Sequence, residues 1–171
     1  MPPCARPARS GKTGVDEAAL KEEIRAFLQA RHVLSLATVA EGAAHAASLM
    51  FATSNFSLYW TSDPGARHST AIERNPRVAA TIAPDYTDFH LIRGLQIVGR
   101  ARRLSAGETA YAGELLRKRF PFLCELDRMP AGLRAAVDRA AYYRLDPDTI
   151  AFIDNTRGFG NKRTLHIAQR A

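Results

Sequence analysis

Seven stretches between His32 and Asp154 read as strands, His32–Val39 by a clear alternation of apolar and polar residues with a period of two, and turn-forming residues bound most of them. They are His32–Val39 (HVLSLATV), Ala44–Thr53, Phe56–Ser62 (FSLYWTS), Arg77–Ala83 (RVAATIA), Leu91–Leu104 (LIRGLQIVGRARRL), Tyr142–Leu145 and Thr149–Asp154. A period of two puts every second side chain on one face, which is the signature of half-buried strands. Glu41-Gly42 and Ser54-Asn55 join the first three so tightly that an antiparallel meander is expected. So many short strands leave edges that invite aggregation unless the sheet closes on itself. The reading is therefore an α+β, mainly β chain: six or seven antiparallel strands curled into a barrel with flanking helices. Gly94 and Gly99, inside the longest strand, mark bends or bulges of that curl.

Helical spacing interrupts the strands at four places. Leu20, Ile24, Phe27 and Leu28 form one apolar stripe on a helix that Asp16 caps and that ends near Gln29. A short helix spans Arg67–Arg74, stopped by Asn75-Pro76 because a residue before proline leaves the helical region. Two more cover Gly107–Arg119 and Gly132–Ala141. Residues 1–14 read as a flexible basic tail and residues 15–171 as a single domain, since 171 residues suffice for one core without staples.

The net charge of +7 raises the question of an anionic partner. Three of those charges, Arg6, Arg9 and Lys12, lie in the tail, and no helix-turn-helix or aromatic RNA-binding signature accompanies the rest. A nucleic-acid partner is not expected. The two cysteines, Cys4 and Cys124, have no zinc spacing. The five histidines show no metal-ligand pattern either. No apolar run reaches the ~18 residues of a membrane helix, and the opening lacks the apolar stretch of a secretory signal. A cytoplasmic setting follows as the expectation.

Two glycine motifs fail on context. Ser10-Gly11-Lys12-Thr13 has Arg6 where a phosphate loop needs glycine and no strand before it. Gly158-Phe159-Gly160 lacks the third glycine and following helix of a dinucleotide fingerprint. The informative stretch is Tyr59-Trp60-Thr61-Ser62-Asp63-Pro64-Gly65-Ala66-Arg67-His68-Ser69. A strand ends in hydroxyl residues, turns through Pro-Gly, and enters a helix whose first turn carries Arg67 and His68. Helix starts attract anions through free N–H groups, and arginine donates to phosphate in a bidentate manner. Strand alternation places Trp60 with Ser62 on one face and Thr61 on the other.

The order strand, Thr61-Ser62, loop, Arg67-His68, short helix, Arg74-Asn75-Pro76-Arg77-Val78-Ala79 resembles the phosphate segment of the pyridoxamine-phosphate-oxidase-like superfamily of flavin-mononucleotide-binding split β-barrels. Ile97-Val98-Gly99-Arg100-Ala101 resembles that superfamily's long strand. Asp154-Asn155-Thr156-Arg157-Gly158-Phe159-Gly160-Asn161-Lys162 resembles its small, uncharacterised YhbP-like branch. The resemblance runs over roughly residues 20–165. It implies a Greek-key split barrel and a homodimer with flavin mononucleotide (FMN) at the subunit interface. It also implies electron transfer between a nicotinamide nucleotide or small oxidant and a small-molecule substrate. Thr61 matches the family's strand-end threonine, and Arg67 and His68 its basic pair, with Ser62 beside them. Ser48 and Gln96 are the candidates for the ring or ribityl chain.

The sequence departs from the family pattern at several points. The second strand offers His45 and Ser48 where the oxidases carry basic residues. Ala66 replaces the serine before the basic pair, histidine replaces lysine at 68, and Gly94 stands where a flavin-contacting glutamine is usual. Some relatives bind haem instead, for which His166 or His90 would supply the axial ligand. A cofactor-free dimeric binding protein is the third reading. No residue stands out as a proton-transfer catalyst.

Overall fold

A computed structural model describes residues 13–125, 128 and 130–168. Helix α1 (Thr13–Gln29) is followed by β1 (Val33–Ala40), β2 (Ala43–Met50), β3 (Ala52–Ser54) and β4 (Ser57–Ser62). Then come α2 (Arg67–Arg74), β5 (Arg77–Ile82), β6 (Arg93–Arg103), α3 (Ala106–Arg119), α4 (Ala131–Arg139), β7 (Ala141–Asp154) and β8 (Lys162–His166). All pairings are antiparallel. The order is β2-β1-β5-β6-β7-β4-β3, with β8 pairing with β7 beyond that path. This is the expected α+β split barrel, a curled antiparallel sheet flanked by helices.

The alternation that defines the strands also defines the core. Leu34 and Leu36 of β1, Ile82 of β5, Leu95 and Ile97 of β6, and Ile150 and Phe152 of β7 all point inward and are essentially inaccessible. Trp60 and Tyr143 stack inside, ring centroids 5.8 Å apart and 14° from parallel. Trp60 is thus a core aromatic. The α1 stripe of Leu20, Ile24, Phe27 and Leu28 joins this core, with Phe27 5.3 Å from Phe152.

Four expectations are corrected. Helix α1 begins at Thr13, so Asp16 lies in its first turn instead of capping it; the rest of the expected tail, residues 1–12, lies outside the described residues. The expected strand Ala44–Thr53 is two strands. Phe51 and Ala52 are both buried, which breaks the alternation, and the chain bends there, held by the Phe51 N–H donating to the His32 carbonyl at 3.0 Å. β2 pairs with β1 while β3 pairs with β4, so the meander does not form and the two hairpins sit at opposite edges of the sheet. The two final strands are one continuous β7, which passes Asp146–Asp148 as a bulge opposite Gly99. Finally, the glycine-interrupted carboxy-terminal segment contains β8.

The bulge explains one glycine. A Cβ at position 99 would lie 2.2 Å from the Asp146 carbonyl oxygen and 2.8 Å from the Pro147 Cα. Both neighbours are backbone and cannot rotate away. Gly99→Ala therefore disturbs the central β6–β7 ladder, and we expect a loss of roughly 2–4 kcal/mol, read as a lower urea midpoint. Gly107→Ala, which meets nothing within 4 Å, serves as control.

Candidate functional site

The end of β4 and the start of α2 are joined by a loop that folds on itself. The Asp63 carboxylate accepts the Gly65 N–H at 2.7 Å, and the Asp63 carbonyl accepts the Ala66 N–H at 3.0 Å. This Asx turn aims α2 and leaves Ala66 at its N-cap, which has no side-chain acceptor. The first intrahelical bond is Thr70 N–H to the Ala66 carbonyl. The N–H groups before it have no acceptor further back in the helix, and Ala66 supplies none. The Arg67 guanidinium stands at this opening, on an exposed residue and without an ion-pair or hydrogen-bond partner among the described residues.

His68 turns the other way and is only 8% exposed. Its Nε2 lies 2.7 Å from the Ser62 Oγ, so the strand end and the helix start are tied together by the pair that the sequence singled out. Its ring lies nearly parallel to that of His45 on β2, at 10° and 6.4 Å between centroids. Burial, and secondarily the neighbouring His45, pushes the His68 imidazole below its ordinary pKa. Thr38, buried on β1, reaches the His45 carbonyl at 3.5 Å. A cleft of about 220 Å³ opens here between α2 and the β1–β2 hairpin, lined by Thr38, Glu41, His45, Arg67, Thr70 and Arg74. Arg74 is neutralised by Glu41, which leaves Arg67 as the free cation of the cleft.

Not every expected residue converges here. Thr61 is half-buried on the opposite face of β4 from Ser62, as alternation requires. Ser48 and Gln96 lie exposed on the outer face of the sheet. They are nevertheless connected: Ser48 pairs in register with Ser35, Ser35 with Thr81, and Thr81 with Gln96. Lys162 of β8 then donates to the Gln96 Oε1 at 3.1 Å. This polar row crosses a face otherwise set with Val33, Val39, Met50 and Val98, each close to half exposed. Sequence reasoning missed Ser35, Thr81 and the placement of His45 against His68. Their signal was the strand register, which only a paired sheet supplies.

The Asp154–Lys162 segment serves architecture. Asp154, buried, accepts from the Thr156 N–H and hydroxyl and faces Arg93 and Arg157. The Asn155 side chain donates to the Phe89 carbonyl and accepts the Gly160 N–H. The loop seats β8 on β7 and leaves Phe159 exposed against Phe89. His90 is exposed beside Phe89. His166 lies at a second cleft of about 650 Å³, together with Lys21, Arg25, Phe56 and Arg144. Among the described residues no group of three or more His, Cys, Asp or Glu is placed to hold a metal, and no helix is long and apolar enough to cross a membrane. Cys124 is exposed and free.

The family model for pyridoxamine 5'-phosphate oxidase matches residues 20–152. The chain belongs to the pyridoxamine 5'-phosphate oxidase family. Within this family it is similar to a UPF0306 protein of Serratia proteamaculans, 31% identical over 83% of this chain and 92% of that protein. A UPF0306 protein of Klebsiella pneumoniae is 36% identical over 61% of this chain, and the match spans only 63% of that relative's length. The fold is shared with a haem-binding protein from Mycobacterium smegmatis (TM-score 0.68, 18% identity, 95% of this chain and 60% of that one). It is also shared with an FAD-binding protein from Mesorhizobium loti (TM-score 0.62, 19% identity, 77% of this chain and 91% of that one).

The buried His68 has a consequence for stability. Its folded-state pKa is lowered, so the unfolded chain binds more protons than the folded one as pH falls below 6.5. Its contribution is fully present above that value and is lost towards acid. We expect the thermal midpoint to drop from pH 7 to pH 5 and His68→Gln to flatten that drop, as read by circular dichroism melts.

Proposed function

We propose that this protein binds FMN as a homodimer and acts as a flavin-dependent oxidoreductase on a small-molecule substrate. The observation that carries the reading is the α2 start: an uncapped helix N-terminus with Arg67 unpaired beside a cleft, braced by the Ser62–His68 hydrogen bond. Those groups suit a phosphate monoester, since oriented N–H groups and a guanidinium complement its charge. Arg67, His68 and Ser62 would hold the phosphate. Ser48 and Gln96, with Ser35 and Thr81 in the same row, would meet the polar parts of the ring or ribityl chain. The bound flavin would supply hydride or electron transfer with a nicotinamide nucleotide or small oxidant, while the protein orients it and excludes water. The half-exposed Val33, Val39, Met50 and Val98 around the polar row support the outer sheet face as the surface that a second copy covers.

A haem reading is favoured by one observation. His166 is exposed at the larger cleft, where Lys21 and Arg25 could meet two carboxylates. It predicts a Soret band that His166→Ala abolishes, with FMN leaving no trace in titration.

Titration of the purified dimer with FMN, followed by quenching of flavin fluorescence, separates the readings. Arg67→Ala is expected to weaken FMN binding by the ~1.5–3 kcal/mol of a charge-assisted hydrogen bond, roughly ten- to a hundredfold, without changing the melting curve. Saturable binding that Arg67→Ala leaves intact contradicts the site. A monomer in light scattering contradicts the assembly.

A further inference from the structure

The hairpin that joins β3 to β4 carries a phenylalanine at the position where glycine is usual. Ser54 pairs with Ser57, so Asn55 and Phe56 alone form the loop, with φ of 59° and 96°. Two-residue loops with both residues at positive φ are ordinarily Asn-Gly, because glycine has no side chain to clash there. A bulky residue in that conformation is strained, and such strain gathers at ligand sites.

The Phe56 side chain stands in the wall of the larger cleft, whose volume of about 650 Å³ is in the usual range for small-molecule sites. α1, the β3–β4 loop, the β7 bulge and the end of β8 enclose it. From α1 come Glu17, Lys21 and Arg25, spaced by four and therefore on one helical face. The Arg25 guanidinium lies over the Phe56 ring, 4.7 Å from its centroid. Two flat groups are thus stacked at the cleft wall, and Pro147 and Ile167 add apolar surface beside them.

The polar floor is preformed. One Asp146 carboxylate oxygen accepts from the Ser57 hydroxyl at 2.7 Å, and the other accepts from Arg144 Nε and Nη2 at 2.8 and 2.7 Å. The Asp146 charge is thereby met. Arg144 keeps further N–H groups, since its Nη1 is only loosely paired with Glu108 at 3.9 Å. Lys21 is paired with Glu17 and Arg25 with Glu22, exposed pairs that contribute little and so exchange partners readily. The lining sets three cations, Lys21, Arg25 and Arg144, against two carboxylates, Glu17 and Asp146.

This cleft is distinct from the α2 start. It opens at Ser57, the first residue of β4, whereas Ser62 ends that strand roughly 17 Å away and points to the opposite face. We propose that it is a ligand site for a planar aromatic carboxylate of one or two rings. The ring lies against the Phe56–Arg25 stack, which is one phenyl group wide, and the carboxylate meets Lys21 and the remaining N–H groups of Arg144. The proposal is independent of the flavin reading and competes with the haem reading for the same cleft.

The probe is 2-naphthoate, titrated into the 171-residue chain by isothermal calorimetry. 2-Naphthamide supplies the same rings without charge, and cyclohexanecarboxylate supplies the charge without a π-face. Wild-type protein is expected to bind 2-naphthoate saturably and each of the other two at least about tenfold more weakly. Phe56→Gly removes the ring and gives the loop the Asn-Gly pair that its backbone suits; naphthoate binding should weaken about tenfold or more while a cooperative melt remains. Arg25→Gln, at a half-buried helical position, should weaken it similarly and keeps the test intact if Phe56→Gly does not fold. Arg67→Ala should leave naphthoate affinity unchanged. No saturable naphthoate binding, equal affinity for 2-naphthamide, or full affinity in Arg25→Gln or in a folded Phe56→Gly would overturn the proposal. Loss of binding in Arg67→Ala would overturn it too, by moving the acid to the α2 start. Haemin titrated in parallel separates the two occupants of the cleft: a Soret band without naphthoate binding assigns it to haem.

Discussion

The burial of two successive residues, Phe51 and Ala52, governs how the rest of the sheet is arranged. In a regular strand one of them would face solvent. Turning both inward bends the chain and ends β2, and Ala52–Ser54 pair with β4 instead of β1. One continuous segment therefore supplies both edges of the curled sheet. The long β6–β7 ladder joins the two halves across the middle, with Gly99 allowing the backbone of β7 to pass at close range. The consequence for function is positional. β2 brings His45, and β4 brings Ser62, to the same helix α2.

At that meeting point the electrostatics are simple. The helix start has no side-chain cap, Arg67 has no anionic partner among the described residues, and the remaining arginine of the cleft is neutralised by Glu41. What is left is a small cavity lined by one unpaired cation, Arg67, and by His45, whose ring lies parallel to that of the buried His68. The outer face holds a second, uncharged set of polar groups, the Ser48–Ser35–Thr81–Gln96 row, within an apolar surround suited to burial against another chain.

Much of this was legible in the sequence, and for definite reasons. The α2 bounds followed from Asn75-Pro76, and the strands β1, β4, β5 and β6 from their period of two. The separation of Thr61 from Ser62 followed from the same period. What escaped depended on contacts between distant segments. Nothing local in Leu49–Thr53 says that the strand changes partner at Phe51, since the run stays apolar and strand-like throughout. Pro147 read as a break because its missing N–H ends most ladders, yet a bulge opposite a glycine accommodates it. β8 was hidden by Gly158 and Gly160, which shape the loop just before it. His45 stood out in the sequence as one of two polar residues of the second strand; its stacking on His68 is a product of the sheet's curl.

The most direct test of the account compares FMN with riboflavin, which carries the same ring and ribityl chain without the phosphate. Equilibrium titration of the wild-type protein with both, at pH 6.5 and matched ionic strength, isolates the contribution of the α2 cleft. The account predicts saturable FMN binding and riboflavin binding at least about tenfold weaker, the least that loss of a charge-assisted contact entails. Equal affinity for the two would contradict it, because the α2 start would then contribute nothing to recognition.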